Sequence, residues 1–115
     1  MKLRTMLRGA LGSCVVSLLA ASGPSFAVDA DAAQALAKKN DCFKCHAIDK
    51  EKKGPSYKKI AAKYKGKPEG QDALIKNFTT GPKVKLDDGT EEEHKIVNSK
   101  DPVVLKNLAD WILSQ

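Results

Sequence analysis

The stretch Cys42-Phe43-Lys44-Cys45-His46, written CFKCH, decides how the rest of the sequence is interpreted. Two residues separate its cysteines, and a histidine follows the second cysteine directly. On a helical turn, two thiols at this spacing reach the same side of the backbone, and the adjoining imidazole can face the same bound group. This is the spacing that covalent attachment of a c-type haem requires, with Cys42 and Cys45 as thioether sites and His46 turned onto the iron.

A disulfide redox pair, a zinc site and a chance cluster are the alternatives to haem for this motif. A thioredoxin-type pair is expected to open a helix after a buried strand, whereas the preceding residues, AAQALAKKND, form an alanine-rich helical pattern. Zinc would require Cys42, Cys45, His46 and His94, and adjacent Cys45 and His46 fit one tetrahedral ion awkwardly. The motif therefore favours haem.

The first 27 residues have the organisation of an export signal. They carry Lys2, Arg4 and Arg8 without an acidic residue, then the apolar run GALGSCVVSLLAA, and they end with the small-x-small pattern of residues 25–27. We expect residues 1–27 to be a cleaved signal peptide, residues 28–115 to be the monohaem domain, and the location to be the periplasm. The apolar run is shorter than the ~20 residues of a spanning helix, so no stable membrane insertion is expected.

Charge and aromatic content exclude nucleic-acid binding. Without the three basic residues of the signal, 17 lysines face 14 acidic residues, a net charge of +3. One Trp, two Tyr and two Phe then remain, which is neither a dense basic stripe nor an aromatic stacking platform. A domain this small buries little core and commonly depends on a disulfide, a metal or a cofactor.

Apolar residues at three- and four-residue spacing predict four helices and no strand. The predicted helices are about 31–40, one opened by Pro55, about 71–78, and a last one capped by Asp101 with Pro102 at its first position. The segment 79–100 lacks periodicity and is predicted to be a long loop. The buried stripe of the last helix is predicted to comprise Val104, Leu105, Leu108, Trp111 and Ile112.

The segments CFKCHAID, GPSYKKIAAKYKG and LADWILSQ, in that order, resemble the class I c-type cytochromes of the small bacterial periplasmic monohaem type. The resemblance covers nearly all of residues 31–115. It implies an all-α fold wrapped round one covalently attached haem c, and a single-electron carrier rather than an enzyme. It also implies that Cys42 and Cys45 are thioether sites, that His46 is the proximal ligand, and that the Pro55 carbonyl accepts the His46 Nδ1 proton.

The distal ligand departs from the pattern of that family, which normally uses a methionine. The only methionines, Met1 and Met6, lie in the predicted signal. His94 lies 48 residues after His46 and 17 before Trp111, close to where the family's methionine falls. We therefore predict bis-histidine ligation by His46 and His94 and a potential below that of methionine-ligated relatives.

The sequence leaves further interpretations of the distal site open. Three glutamates precede His94, so one interpretation is that its side chain is merely solvated. In the other interpretations the iron has no distal ligand, or its distal ligand is another loop residue: Lys83, Lys85, Lys95 or Asn98. A filled distal site suits an electron carrier. An open or displaceable one suits the alternative, a gas-binding or sensing haem protein, or a small peroxidase-like enzyme.

Lysines flanking the haem motif suggest the kind of partner. They would form a positive collar that docks an acidic redox protein, although a merely solvated face accounts for them as well. No residue pattern indicates an oligomeric state. The collar comprises Lys38, Lys39, Lys44, Lys50, Lys52 and Lys53.

Overall fold

The computed structural model describes residues 27–115, so the predicted signal peptide lies outside the described residues apart from Ala27. Four α-helices, a short 3-10 turn and one two-stranded hairpin make up this part of the chain. In chain order they are α1 (Ala30–Lys39), the 3-10 turn (Cys42–Lys44), α2 (Tyr57–Tyr64), α3 (Gly70–Thr80), β1 (Lys83–Lys85), β2 (Glu91–Glu93) and α4 (Pro102–Leu113).

Polar caps fix where three of the helices begin. The Asp29 carboxylate accepts from the amide of Ala32 at α1, and the Asp101 carboxylate accepts from the amide of Val103 at α4. Ser56 caps α2 through its hydroxyl oxygen. Each cap satisfies one amide that has no partner within the helix.

The core lies where α4 packs against α1, α2 and α3. Leu108 and Ala109 are almost fully enclosed, and Trp111 lies against the aromatic residues of α2 and the 3-10 turn. This arrangement confirms the predicted all-α, four-helix class. Val104 was expected in the buried stripe of α4, but it is 36% exposed; Ala109 lies in the core instead.

Pro55 does not open α2, contrary to the prediction. The helix begins two residues later, at Tyr57, because Ser56 is the N-cap and its hydroxyl accepts the amide of Lys59 at 3.1 Å. Pro55 stays outside the helix, so its carbonyl is not used in a helical hydrogen bond. That carbonyl accepts a hydrogen bond from His46 instead.

The predicted long loop over residues 79–100 contains an antiparallel hairpin, so the prediction of no strand is wrong for this segment. Lys83 faces Glu93, Val84 faces Glu92, and Lys85 faces Glu91. The strands have three residues each, and their pairing places lysines opposite glutamates, which stabilises a short ladder without an apolar face.

Candidate haem-binding site

The CFKCH motif turns sharply between α1 and the loop that precedes α2. Asp41 has φ +59° and ends the run from α1, and the amides of Cys45 and His46 both donate to the carbonyl of Cys42, at 3.2 and 3.0 Å. Neither cysteine of the motif forms a disulfide within the described residues, and both are partly buried. Burial raises the pKa of the Cys42 thiol.

The His46 imidazole is held from three sides. Its Nδ1 donates to the Pro55 carbonyl at 2.6 Å, its ring stacks on Tyr57 with centroids 5.3 Å apart, and Gly54 lies so close that a Cβ there would be 2.8 Å from Cε1. Burial lowers the pKa of His46, which favours the neutral ring that a metal requires. The Nδ1 bond leaves the lone pair of the neutral ring on Nε2.

The structure brings His94 opposite His46. The centroids of the two rings are 6.1 Å apart, with the ring planes at 43°. A metal–nitrogen bond of about 2.0–2.1 Å on each side, plus roughly 1 Å from nitrogen to each ring centre, gives about 6 Å between two imidazoles that share one metal ion. The observed spacing therefore fits an iron held between these two rings.

The hydrogen bonding of His94 parallels that of His46. His94 Nδ1 donates to the Lys95 carbonyl at 2.8 Å, and in the neutral ring this bond leaves the lone pair on Nε2. Within the described part of the chain, neither Nε2 takes a hydrogen bond. Both rings are thus in the tautomer of a metal-binding histidine whose second nitrogen is fixed by a carbonyl.

The distal loop, defined as residues 94–98, is attached to its surroundings by main-chain bonds. The amide of His94 donates to the Pro82 carbonyl and the amide of Val97 to the Phe78 carbonyl, both at 2.8 Å. Val97 is 3% exposed and lies in the core. The loop is therefore held to the end of α3 and to the segment entering the hairpin.

The alternative distal ligands are placed less favourably. Lys83 and Lys85 are exposed on β1 opposite glutamates, and the Lys95 ammonium lies 3.7 Å from the Asp41 carboxylate. Asn98 is exposed, and its main-chain amide donates to the Oδ1 of Asn40. Among the described residues, no group of three or more His, Cys, Asp or Glu converges as a metal-ion site would require, so the four-ligand zinc arrangement is not formed.

The six lysines of the collar are exposed, but three of them form an ion pair or a hydrogen bond. Lys44 pairs with Asp41 at 3.2 Å and Lys53 with Glu92 at 3.7 Å, while Lys52 donates to the Phe43 carbonyl at 2.7 Å. Over residues 27–115 the structure has no ion pair for Lys38, Lys39 or Lys50.

Two features of the site are not among the sequence predictions. The hairpin before His94 has a recognisable signal, the Asp88-Gly89 pair, since Asp-Gly is a common turn between paired strands. The side chain of Asn40 contacts the distal loop 58 residues away, and no local pattern marks that contact.

Comparisons with known proteins agree with the site. The family described as Cytochrome c matches residues 30–115. A cytochrome c-552 of Nitrosomonas europaea is 36% identical over 104 residues, which are 90% of this chain and 93% of that protein. A cytochrome c-551 of Azotobacter vinelandii is 34% identical over 82 residues, 69% of this chain and 92% of that protein.

Solved structures give the same result. The crystal structure of the class 1 cytochrome MtoD from Sideroxydans lithotrophicus ES-1 has 60% sequence identity and a TM-score of 0.73, covering 76% of this chain and 97% of that one. Wild-type Nitrosomonas europaea cytochrome c552 has 34% identity and a TM-score of 0.58, covering 70% of this chain and 96% of that one. In the described segment, no helix is long and apolar enough to cross a membrane. The chain therefore belongs to the cytochrome c family, as a class I c-type cytochrome that carries single electrons on one covalently attached haem c.

Proposed function

We propose that this cytochrome is a periplasmic electron carrier with bis-histidine ligation, in which Cys42 and Cys45 form the thioethers and His46 and His94 are the axial ligands. The observation that carries this proposal is the 6.1 Å spacing of the two imidazoles. Support comes from the two Nδ1 bonds, which leave each Nε2 available. When bound, the haem supplies a one-electron change at its iron.

The protein residues favour electron transfer over catalysis. His46 and His94 would hold the iron from both sides, and this would leave no position on it for a substrate or a gas. Both rings are fixed by hydrogen bonds to carbonyls, so a change in the charge of an iron held between them should require little rearrangement. Slow exchange of a distal ligand and fast exchange of an electron are expected from the same fixed pair.

The potential is expected to be lower than in methionine-ligated cytochromes. Methionine ligation raises the potential of a haem, and the predicted mature chain contains no methionine. An imidazole at the distal position stabilises the ferric state relative to a thioether.

Export is proposed from the organisation of residues 1–27. Cleavage after Ala27 would leave Val28 as the first residue, directly before the Asp29 cap of α1. The mass of the purified haem protein checks this, since the mature chain should begin at Val28. A mass that includes residues 1–27 would overturn the assignment of a cleaved signal.

An acidic redox partner is proposed for the exposed lysines of the collar. Lys38, Lys39 and Lys50 contribute most, because they have no ion pair within residues 27–115. A small, wet and short-lived interface is expected, with electrostatics raising the encounter rate.

Replacing His94 tests the proposed ligation. His94→Ala should leave a folded haem protein that becomes high-spin or binds carbon monoxide readily, while His94→Met should raise the potential. Lys95→Ala and Asn98→Ala are the controls, since they remove the competing ligands from the same loop; both should keep a low-spin spectrum. An unchanged spectrum and potential in His94→Ala would show that another group, or none, occupies the distal site. Rapid carbon monoxide binding by the wild type would instead favour a gas-binding protein.

A further inference from the structure

Asn40 joins the two halves of the haem site through its side chain. It is the C-cap of α1 and lies two residues before Cys42. Its Nδ2 donates to the Leu36 carbonyl at 2.9 Å, and its Oδ1 accepts the main-chain amide of Asn98 at 2.8 Å. One amide thus contacts α1 and the distal loop at the same time.

The main-chain hydrogen bonds of the distal loop join it to a different part of the chain. The amides of His94 and Val97 donate to Pro82 and Phe78, which belong to the segment from α3 into the hairpin. That segment does not carry His46. The Asn40–Asn98 bond instead connects the loop to the turn that carries both cysteines and His46.

A second connection between these parts is weaker. The Lys95 ammonium lies 3.7 Å from the Asp41 carboxylate, and both side chains are about half exposed. Exposed pairs of this kind contribute little and are screened by salt. The Asn40–Asn98 bond is also exposed, but it is not an ion pair and is therefore not screened by salt. The Asn40 side chain that accepts it is held on α1 by the partly buried bond to the Leu36 carbonyl.

We propose that Asn40 is a positioning residue for the distal ligand: it holds residues 94–98 against the haem-attachment turn and so keeps His94 opposite His46. This inference rests on the proposed ligation by His94. Asparagine suits the position because it supplies one donor and one acceptor on a single short side chain. Its Oδ1 holds the distal loop, and its Nδ2 fixes the Asn40 side chain to α1.

Cyanide binding to the ferric protein measures how often His94 leaves the distal position. Asn40→Ala removes the bond to Asn98, and the rate of cyanide binding should rise roughly five- to tenfold, the factor expected for the net loss of one hydrogen bond. The Asn98 amide should also lose its protection against hydrogen exchange, measured by NMR. Asn40→Asp keeps the acceptor for Asn98 but loses the donor to Leu36. It should therefore retain protection of the Asn98 amide and accelerate cyanide binding less than Asn40→Ala does.

Asn107 offers a matched control on α4. It accepts the amide of Asp29 at 2.8 Å and donates to the Asp29 carbonyl at 2.9 Å, across 78 residues. Asn107→Ala therefore removes a comparable two-way bond that does not involve the distal loop. It should lower the stability while leaving the cyanide rate within about twofold of wild type.

The outcomes separate this inference from the ligation on which it rests. If Asn40→Ala loses Asn98 protection and the cyanide rate is unchanged, or if Asn107→Ala accelerates cyanide equally, Asn40 has no positioning role. If His94→Ala binds cyanide no faster than wild type, the ligation itself is wrong. Should Asn40→Ala not retain folded haem protein, Asn40→Gln decides, because its displaced amide should raise the rate; a wild-type rate there overturns the proposal.

Discussion

Gly81 is the residue at which the distal loop is most sensitive to a single added carbon. It follows α3 with φ +60°. A Cβ there would lie 2.9 Å from the carbonyl oxygen of His94 and 3.0 Å from Cγ1 of Ile96. Gly81→Ala therefore combines a left-handed backbone with a main-chain contact that is too close to tolerate.

The two costs can be separated with Gly89→Ala. Gly89 has φ +86° in the hairpin turn, and a Cβ there would meet nothing within 4 Å. That variant carries the backbone cost alone, about 1–2 kcal/mol. In Gly81→Ala the His94 carbonyl must also shift, and overpacking adds about 1–3 kcal/mol. We expect Gly81→Ala to lower the free energy of unfolding by about 2–5 kcal/mol in total.

Guanidinium unfolding of the haem proteins, followed by far-ultraviolet circular dichroism, measures both variants. The ferric absorption spectrum measures the distal site separately, and Gly81→Ala should show a high-spin fraction or faster cyanide binding, whereas Gly89→Ala should keep the wild-type spectrum. Equal losses of stability in the two variants, together with identical spectra, would refute the reasoning, because the distal loop would then yield to the added carbon at no cost.

Three further changes test different parts of the site. Gly54→Ala places a carbon 2.8 Å from His46 Cε1, so it should displace the ring and reduce the low-spin fraction; a normal spectrum would contradict the close contact. Leu108→Ala, at a position 1% exposed, should lower the free energy of unfolding by about 2–5 kcal/mol with an unchanged spectrum. Electron exchange with an acidic redox protein should slow as salt rises, and it should also slow when collar lysines are changed to Gln. Lys106→Gln on α4 is the control and should leave the rate unchanged. Rates independent of salt would exclude the collar. The collar lysines to change are Lys38, Lys39 and Lys50.

The helices were predictable because local signals and tertiary packing agree in them. The apolar residues of α4 repeat at helical spacing, and Asp101 with Pro102 gives the start of that helix directly. Ser56 is the stronger start signal for α2, so the helix begins later than Pro55 alone predicts. A proline near a helix start is compatible with more than one position, whereas a capping hydroxyl fixes it.

The hairpin and the Asn40 bond were not predictable in the same way. Strands of three residues with lysine opposite glutamate have no apolar alternation to detect. The bond between Asn40 and Asn98 joins residues 58 positions apart, and it exists only because α1 and the distal loop pack together. Counting along the chain predicts the position of His94, but its orientation depends on Pro82, Phe78 and Asn40.

The glutamates before His94 have a structural role in the hairpin. In isolation they indicate a solvated histidine, because clustered carboxylates belong in water. In the structure they form β2, in which Glu91 and Glu93 face Lys85 and Lys83 across the ladder. Glu92 lies 3.7 Å from Lys53, on the loop that follows the haem-attachment turn. The strand they form ends at Glu93, and the ladder continues with the bond from the His94 amide to Pro82. The run of three glutamates therefore forms the strand that places His94 near His46. The acidic composition of this run is not evidence against His94 as a ligand.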